Sequence, residues 1–113
     1  MLAKPYRFTL ALEFRKLKKE GRLINGELFG ILVKRRGGQL SSRFGFVVSK
    51  LVDKRAVARH RIRRRLAEAV RLNLARIKPG NDLVFLTKKT IIGKTFKEVE
   101  AEVLRMCLVN LNR

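Results

Sequence analysis

Cysteine, histidine and carboxylates are scarce in this chain, and each shortage removes a class of chemistry. The lone Cys107 has no intramolecular disulfide partner, and neither it nor the single histidine has companions at metal-ligand spacing. A reduced setting follows, and we expect the cytoplasm. His60 standing alone excludes a two-histidine acid–base pair. Nine Asp and Glu are scattered along 113 residues. Their one cluster, Glu98, Glu100 and Glu102, fans around a helix instead of converging as a two-metal nuclease site requires. Long apolar runs are lacking too, since Leu28 to Val33 is far too short to span a bilayer. The first residues, MLAKPYRFTLALEFRK, have no small-residue cleavage site behind an apolar block. Residues 6 to 20 are amphipathic and basic, but Glu13, Glu20 and the apolar spacing point to a core-packed helix instead of a targeting segment. With few Pro or Gly and a hydrophobic fraction of 46%, residues 1–113 are expected to form one folded domain, not a disordered basic tail.

Cations are what the chain has in excess. Its 28 Lys and Arg against 9 Asp and Glu give a formal charge of +19, enough to draw in a phosphate backbone from a distance. They are densest from Lys50 to Arg71, where nine basic residues face only Asp53 and Glu68. Self-repulsion of that density on a helix costs stability, so a polyanion is the natural partner. Most helix charge runs are solvated faces, and Lys4 and Lys18-Lys19 fit that description. Here acidic residues at i±4 are almost absent, Glu68 being the main candidate to pair with Arg64 and Arg65. A ribonucleoprotein subunit, a ribosomal or ribosome-assembly protein and a basic DNA-binding or anionic-membrane module all share this composition.

Periodicity orders the elements. Thr9 is a suitable N-cap, and Leu10, Phe14 and Leu17 predict a helix over about residues 10–20, ended by Gly21. ELFGILVK (27–34) and RFGFVVSK (43–50) read as strands, joined by a hairpin turn at Gly37-Gly38 with a basic tip. The Leu23 to Gly38 region has room for two strands. Ile62, Leu66, Ala69, Val70 and Ile77 form the buried stripe of a long second helix. PGND (79–82) breaks the chain, and Leu83 to Thr87 suits a covered strand. Thr95 and Glu98 have capping-box spacing at the start of a last helix lined by Phe96, Val99, Val103, Met106 and Cys107. The order α-β-β-(β)-α-β-α describes an α/β (α+β) two-layer sandwich with a small mixed sheet.

On the second helix, His60, Arg64, Ala67 and Arg71 share the stripe opposite the apolar one, with Arg61, Arg65 and Glu68 beside it and Arg59 and Arg63 on the other border. Val57 would fall on the polar side of an earlier start, so the helix is expected to begin near Ala58. That leaves Lys54 and Arg55 at its N-terminus, where side chains and free N–H groups suit a phosphate. Phe14, Phe29, Phe44 and Phe46 could stack on unpaired bases. Phe at such spacing is usually core, and the residues alone favour core for all four.

Arg59-His60-Arg61-Ile62-Arg63-Arg64 resembles the R-N-R-x-[KR]-R signature of the protein component of bacterial ribonuclease P, with His60 in place of asparagine. Arg7, Glu13-Phe14, Gly21, Phe29, FGFVVSK and GNDLVFLTKK resemble that family's flanking pattern in order and spacing, Lys18 standing where a second aromatic is common. The resemblance implies a ribosomal-protein-S5-domain-2-like fold with a left-handed βαβ crossover exposing the arginine-rich helix. It also implies the small subunit of a tRNA 5′-maturation endoribonuclease, whose RNA subunit carries catalysis and its Mg2+, the protein binding no cofactor and supplying no catalytic residue. By the same likeness Lys54, Arg55, Arg59, His60, Arg61, Arg63 and Arg64 contact the catalytic RNA. A cleft between the first helix and the sheet takes the single-stranded leader of precursor tRNA through Phe14, Phe29, Phe44, Lys50, Lys88 and Lys89. Neither a membrane nor a protein partner is implied.

Overall fold

Which strand edges and faces are covered decides how this sequence folds. In the computed structural model, which describes residues 2–37 and 40–111, three helices pack on one four-stranded mixed sheet. The order is α1 (Leu10–Glu20), β1 (Arg22–Asn25), β2 (Phe29–Arg35), β3 (Arg43–Val47), α2 (Ala56–Leu72), β4 (Asn81–Thr87) and α3 (Phe96–Leu111). Short 3₁₀ turns lie at Lys4–Tyr6, Leu74–Arg76 and Lys89–Ile91. The Leu23 to Gly38 region does supply two strands.

Strand order is β1-β2-β4-β3, antiparallel except for the β3–β4 pair. This overturns the expected hairpin between β2 and β3. Phe29–Val33 is buried at every position, so β2 needs partners on both edges; β1 takes one, and β4 takes the other along the full length of β2. The link from β2 to β3 instead crosses the entry to β4. There the Arg36 and Gly37 N–H groups donate to Gly80 O at 2.7 and 3.4 Å. Ser42 Oγ donates to Lys78 O at 3.0 Å and accepts the Asn81 N–H at 3.1 Å. Gly38 lies outside the described residues.

Alternation along the strands separates two apolar clusters. Phe29, Ile31, Val33, Phe44, Leu83 and Phe85 pack with Leu66 and Val70 of α2 and with Val99, Val103, Met106 and Cys107 of α3. Leu32 and Val84 point the other way, into a smaller cluster with Phe8 and Leu17 of α1. Cys107 is a core filler, its thiol pushed up to about 12 by burial.

Local chemistry fixes the helix ends. Thr95 and Glu98 form the expected reciprocal box: the Thr95 N–H donates to Glu98 Oε1 (3.1 Å) and the Glu98 N–H to Thr95 Oγ1 (3.2 Å). Thr9 occupies the N-cap position of α1 without a side-chain capping bond. α2 begins at Ala56, two residues before the expected start, because Asp53 Oδ1 accepts the Arg55 N–H at 2.9 Å and turns the chain early. Val57 is consequently 70% exposed.

α3 is pinned to the β1–β2 turn by Glu102. Its Oε2 accepts the N–H groups of Glu27 (2.7 Å) and Leu28 (3.2 Å), and Arg105 holds Oε1 at 2.7 and 2.9 Å. Gly26 permits this approach: a Cβ there would stand 2.6 Å from Met106 Sδ and 2.9 Å from Glu102 Oε2.

Candidate nucleic-acid interface

Seventeen residues of α2 carry the basic segment, and its buried side is broader than the sequence stripe suggests. Leu66, Ala67, Ala69 and Val70 are all buried. Ala67 therefore leaves the polar stripe on which it was expected and joins the core. The cause is that α2 packs on both the sheet and α3, so more than one stripe is covered.

The arginines divide by what they touch. Arg59 Nη1 donates to the carbonyls of Asp53 (3.0 Å) and Lys54 (2.8 Å), clamping the turn that starts the helix. Arg65 Nη1 donates to Lys94 O at 2.8 Å, and Arg71 pairs with Glu68. Glu68 thus serves Arg71 rather than Arg64 or Arg65, and that guanidinium holds its carboxyl below the ordinary range. Arg55 is paired with Asp53 at 3.1 Å although its side chain is 78% exposed. Its hydrogen bond is the first cause of the lowered Asp53 carboxyl. Lys54 is exposed beside them. Arg61, Arg63 and Arg64 hold no hydrogen bond or ion pair to another described residue, and His60 is exposed on the same helix. Of the signature's four arginines, three are therefore available to an outside anion, and Arg59 is engaged in structure.

This division is testable. Arg59→Ala is expected to cost about 1 kcal/mol of stability in urea denaturation, from two backbone acceptors returned to solvent. The salt dependence of RNA binding should stay as in the wild type. A shallower slope would move Arg59 into the interface.

The second expected site, between α1 and the sheet, is only partly assembled. β3 and β4 are parallel neighbours with Val47 opposite Leu86, so Lys50 and the Lys88-Lys89 pair leave the sheet at the same end. Lys50 and Lys89 are exposed, whereas Lys88 Nζ donates to Gly26 O at 2.7 Å and braces the β1–β2 turn. Phe14 is half-buried against the α1-side cluster with Leu10, Val47 and Leu86, and Lys18 Nζ lies 5.6 Å from its ring centroid.

Phe29 and Phe44 do not join it. Phe29 is 0% exposed and Phe44 2%, both packed on the α2–α3 side, across the sheet from Phe14. Their alternation puts them on the other face, and the core reading of the residues alone is correct for both. The α1 side instead offers Val47 and Leu86, which sequence reasoning missed. The available signal was that Val47 alternates with Phe44 and Phe46.

An ion cluster closes one end of the α1 groove. Arg43 donates from Nε and Nη2 to Asp82 (both 2.8 Å) and from Nη1 and Nη2 to Glu13 (2.9 and 3.1 Å). The Asp82 bond is the main reason its guanidinium is held above its ordinary value. Glu13 and Asp82 are thereby both paired with one guanidinium.

Comparison with known proteins agrees with the arrangement. The family model described as Ribonuclease P matches residues 2–109. The ribonuclease P protein component of Alkaliphilus oremlandii is 35% identical over 94 residues, covering 83% of this chain and 81% of that protein. That of Clostridium novyi is 33% identical over 106 residues, 93% of each chain. Among solved structures, the RNase P protein from Thermotoga maritima superposes with a TM-score of 0.82 at 28% identity, over 89% of this chain and 94% of that one. With the model running through nearly the whole sequence and relatives of this identity spanning most of both partners, the chain belongs to the ribonuclease P protein family.

Proposed function

We propose that this protein is the RNA-binding subunit that lets a catalytic RNA remove the 5′ leader of precursor tRNA. The observation that carries this reading is the trio Arg61, Arg63 and Arg64, without a partner among the described residues, on a helix whose Arg59, Arg65 and Arg71 are engaged within the fold. Arginines on a rigid helix suit the phosphates and shape of folded RNA. Lys54, Arg55 and His60 extend that face at its entry, and Arg59 supports it from behind.

Bond breaking belongs to the RNA subunit and its Mg2+. The chemistry of the carboxylates supports this: Glu98 caps α3, Glu100 accepts from Asn73 Nδ2 at 2.9 Å, and Glu102 is taken by two backbone N–H groups and Arg105. Among the described residues no group of three His, Cys, Asp or Glu is placed to hold a metal ion. The protein's part is to screen phosphate repulsion and raise substrate affinity. We place it in the cytoplasm with its RNA; among the described residues no helix is long and apolar enough to cross a membrane.

The single-stranded leader runs along the α1 side of the sheet, stacking on Phe14 beside Lys18, with Lys50 and Lys89 at the end of the groove. Phe14→Leu is expected to weaken precursor tRNA binding about tenfold, the scale of one lost base–aromatic stack, and to leave mature tRNA binding unchanged. Equal losses for both would assign Phe14 to the core.

Reconstitution tests the whole reading. Adding the protein to a bacterial ribonuclease P RNA at low Mg2+ should stimulate precursor-tRNA cleavage. No stimulation would leave a ribosomal or ribosome-assembly role as the better account.

A further inference from the structure

Beside the free edge of β3, next to the RNA-facing side of α2, lies a cavity of about 220 Å³. Its walls come from the N-terminal segment, the first residue of α1, β3 and the side of α2 that carries His60, Arg63 and Arg64. The floor is apolar, formed by Phe8, Leu10, Phe44 and Phe46. The rim carries the cations Arg63 and Arg64, with His60 beside them, on one side and Arg7 on the other.

Three features select the occupant. Phe85 stacks against Phe46 with centroids 5.4 Å apart and planes 30° apart, and Phe29 lies tilted at 60° to Phe85 at 5.1 Å, so a flat ring on Phe46 would add to an existing aromatic cluster. The Phe8 N–H donates to Phe44 O at 3.0 Å, which puts the outward-pointing backbone groups of β3 at Phe44. Alternation then aims the Phe46 N–H and C=O outward as well, at the strand edge, beyond the Arg7–Phe44 bridge. A donor and an acceptor side by side match the edge of a heterocyclic base. Arg63 and Arg64, which have no partner among the described residues, stand on the rim where an attached phosphate could be met.

We propose that this pocket receives one unpaired nucleobase of the RNA subunit, stacked over Phe46, with its phosphate on Arg63 and Arg64. The inference rests on the reading that α2 faces that RNA. The leader is the less suitable source: although Phe8 and Leu10 of the floor share a cluster with Phe14, Phe14 does not line the cavity, and His60, Arg63 and Arg64 on its rim come from α2.

The test uses the full-length protein and 2-aminopurine riboside 5′-monophosphate, whose fluorescence is quenched by stacking. We expect saturable quenching that AMP competes away and ribose 5-phosphate does not. Phe46→Leu should weaken the probe about tenfold, and Phe14→Leu should leave it unchanged. Arg64→Gln, at an exposed position that does not threaten folding, should weaken the monophosphate severalfold but not the uncharged riboside. One equivalent of a bacterial ribonuclease P RNA should restore the fluorescence, whereas a leader-length oligonucleotide should not.

Absence of quenching overturns the proposal, as does competition by ribose 5-phosphate equal to that by AMP. Displacement by the leader oligonucleotide overturns it too, by assigning the pocket to substrate. Filter retention of the RNA on the same samples separates the remaining outcomes. RNA that binds without displacing the probe sinks the pocket alone, and RNA that does not bind sinks the functional reading with it.

Discussion

Replacing Arg61, Arg63 and Arg64 together with alanine is expected to weaken binding to a bacterial ribonuclease P RNA by about 100-fold at moderate salt, from about 1 kcal/mol per lost phosphate contact. The logarithmic salt dependence should flatten by about one unit for each contact removed. Folding should survive, because these side chains have no partner within the described residues and their mutual repulsion disappears with them. The measurement is a set of dissociation constants over a salt series, with thermal unfolding of the free protein beside it. Lines parallel to the wild type would remove the trio from the interface whatever happened to affinity. The choice of residues differs from what the signature alone recommends. Arg59 looks equivalent in sequence, yet it is spent on two carbonyls of its own turn.

The availability of that trio depends on where the acidic groups go. Glu13 and Asp82 are engaged by Arg43, Glu20 by Lys34, Asp53 by Arg55 and Glu68 by Arg71. Glu98, Glu100 and Glu102 are held by Thr95, Asn73 and Arg105. Eight of the nine carboxylates are thus committed to local partners, and none is aimed at Arg61, Arg63 or Arg64. The positive field on that side of α2 is left uncancelled, and it would steer RNA toward the helix before contact is made.

Features governed by neighbours in sequence were legible from the residues. α1 runs from Leu10 to Glu20 as its apolar spacing predicts, and the Thr95–Glu98 box sits where the i, i+3 pattern puts it. What depended on distant pairing was not. The glycine pair after β2 looks like a hairpin turn, but whether β3 or β4 lies beside β2 is settled by residues more than forty positions away. The start of α2 slipped by two residues because the Asp53 turn competes with simple amphipathicity. Phe44 and Phe29 show the limit most clearly. Alternation marked them as core, and only the register reveals that α1 covers the opposite face, where Phe14, Val47 and Leu86 pack together and Phe29 and Phe44 are absent.

Glu102→Ala should destabilise the fold by about 3 kcal/mol near neutral pH, since two backbone N–H groups, one of them in a buried turn, lose a charged acceptor. The residue is only 7% exposed, so water cannot easily replace it. Burial would by itself raise the Glu102 carboxyl, but Arg105 and the N–H groups of Leu28 and Glu27 outweigh it and hold the group below its ordinary value of 4.5. A lowered folded-state value means that the unfolded chain takes up this proton first as pH falls. The contribution is therefore fully present above about pH 4.5 and is lost as pH drops through the folded-state value. Comparing wild type with Glu102→Gln isolates this group from the other carboxylates. Their stability difference should be constant from pH 7 to 5 and shrink on further acidification, read from urea midpoints at each pH. A difference that stayed flat down to pH 3 would mean that shape, not charge, is what ties α3 to the β1–β2 turn.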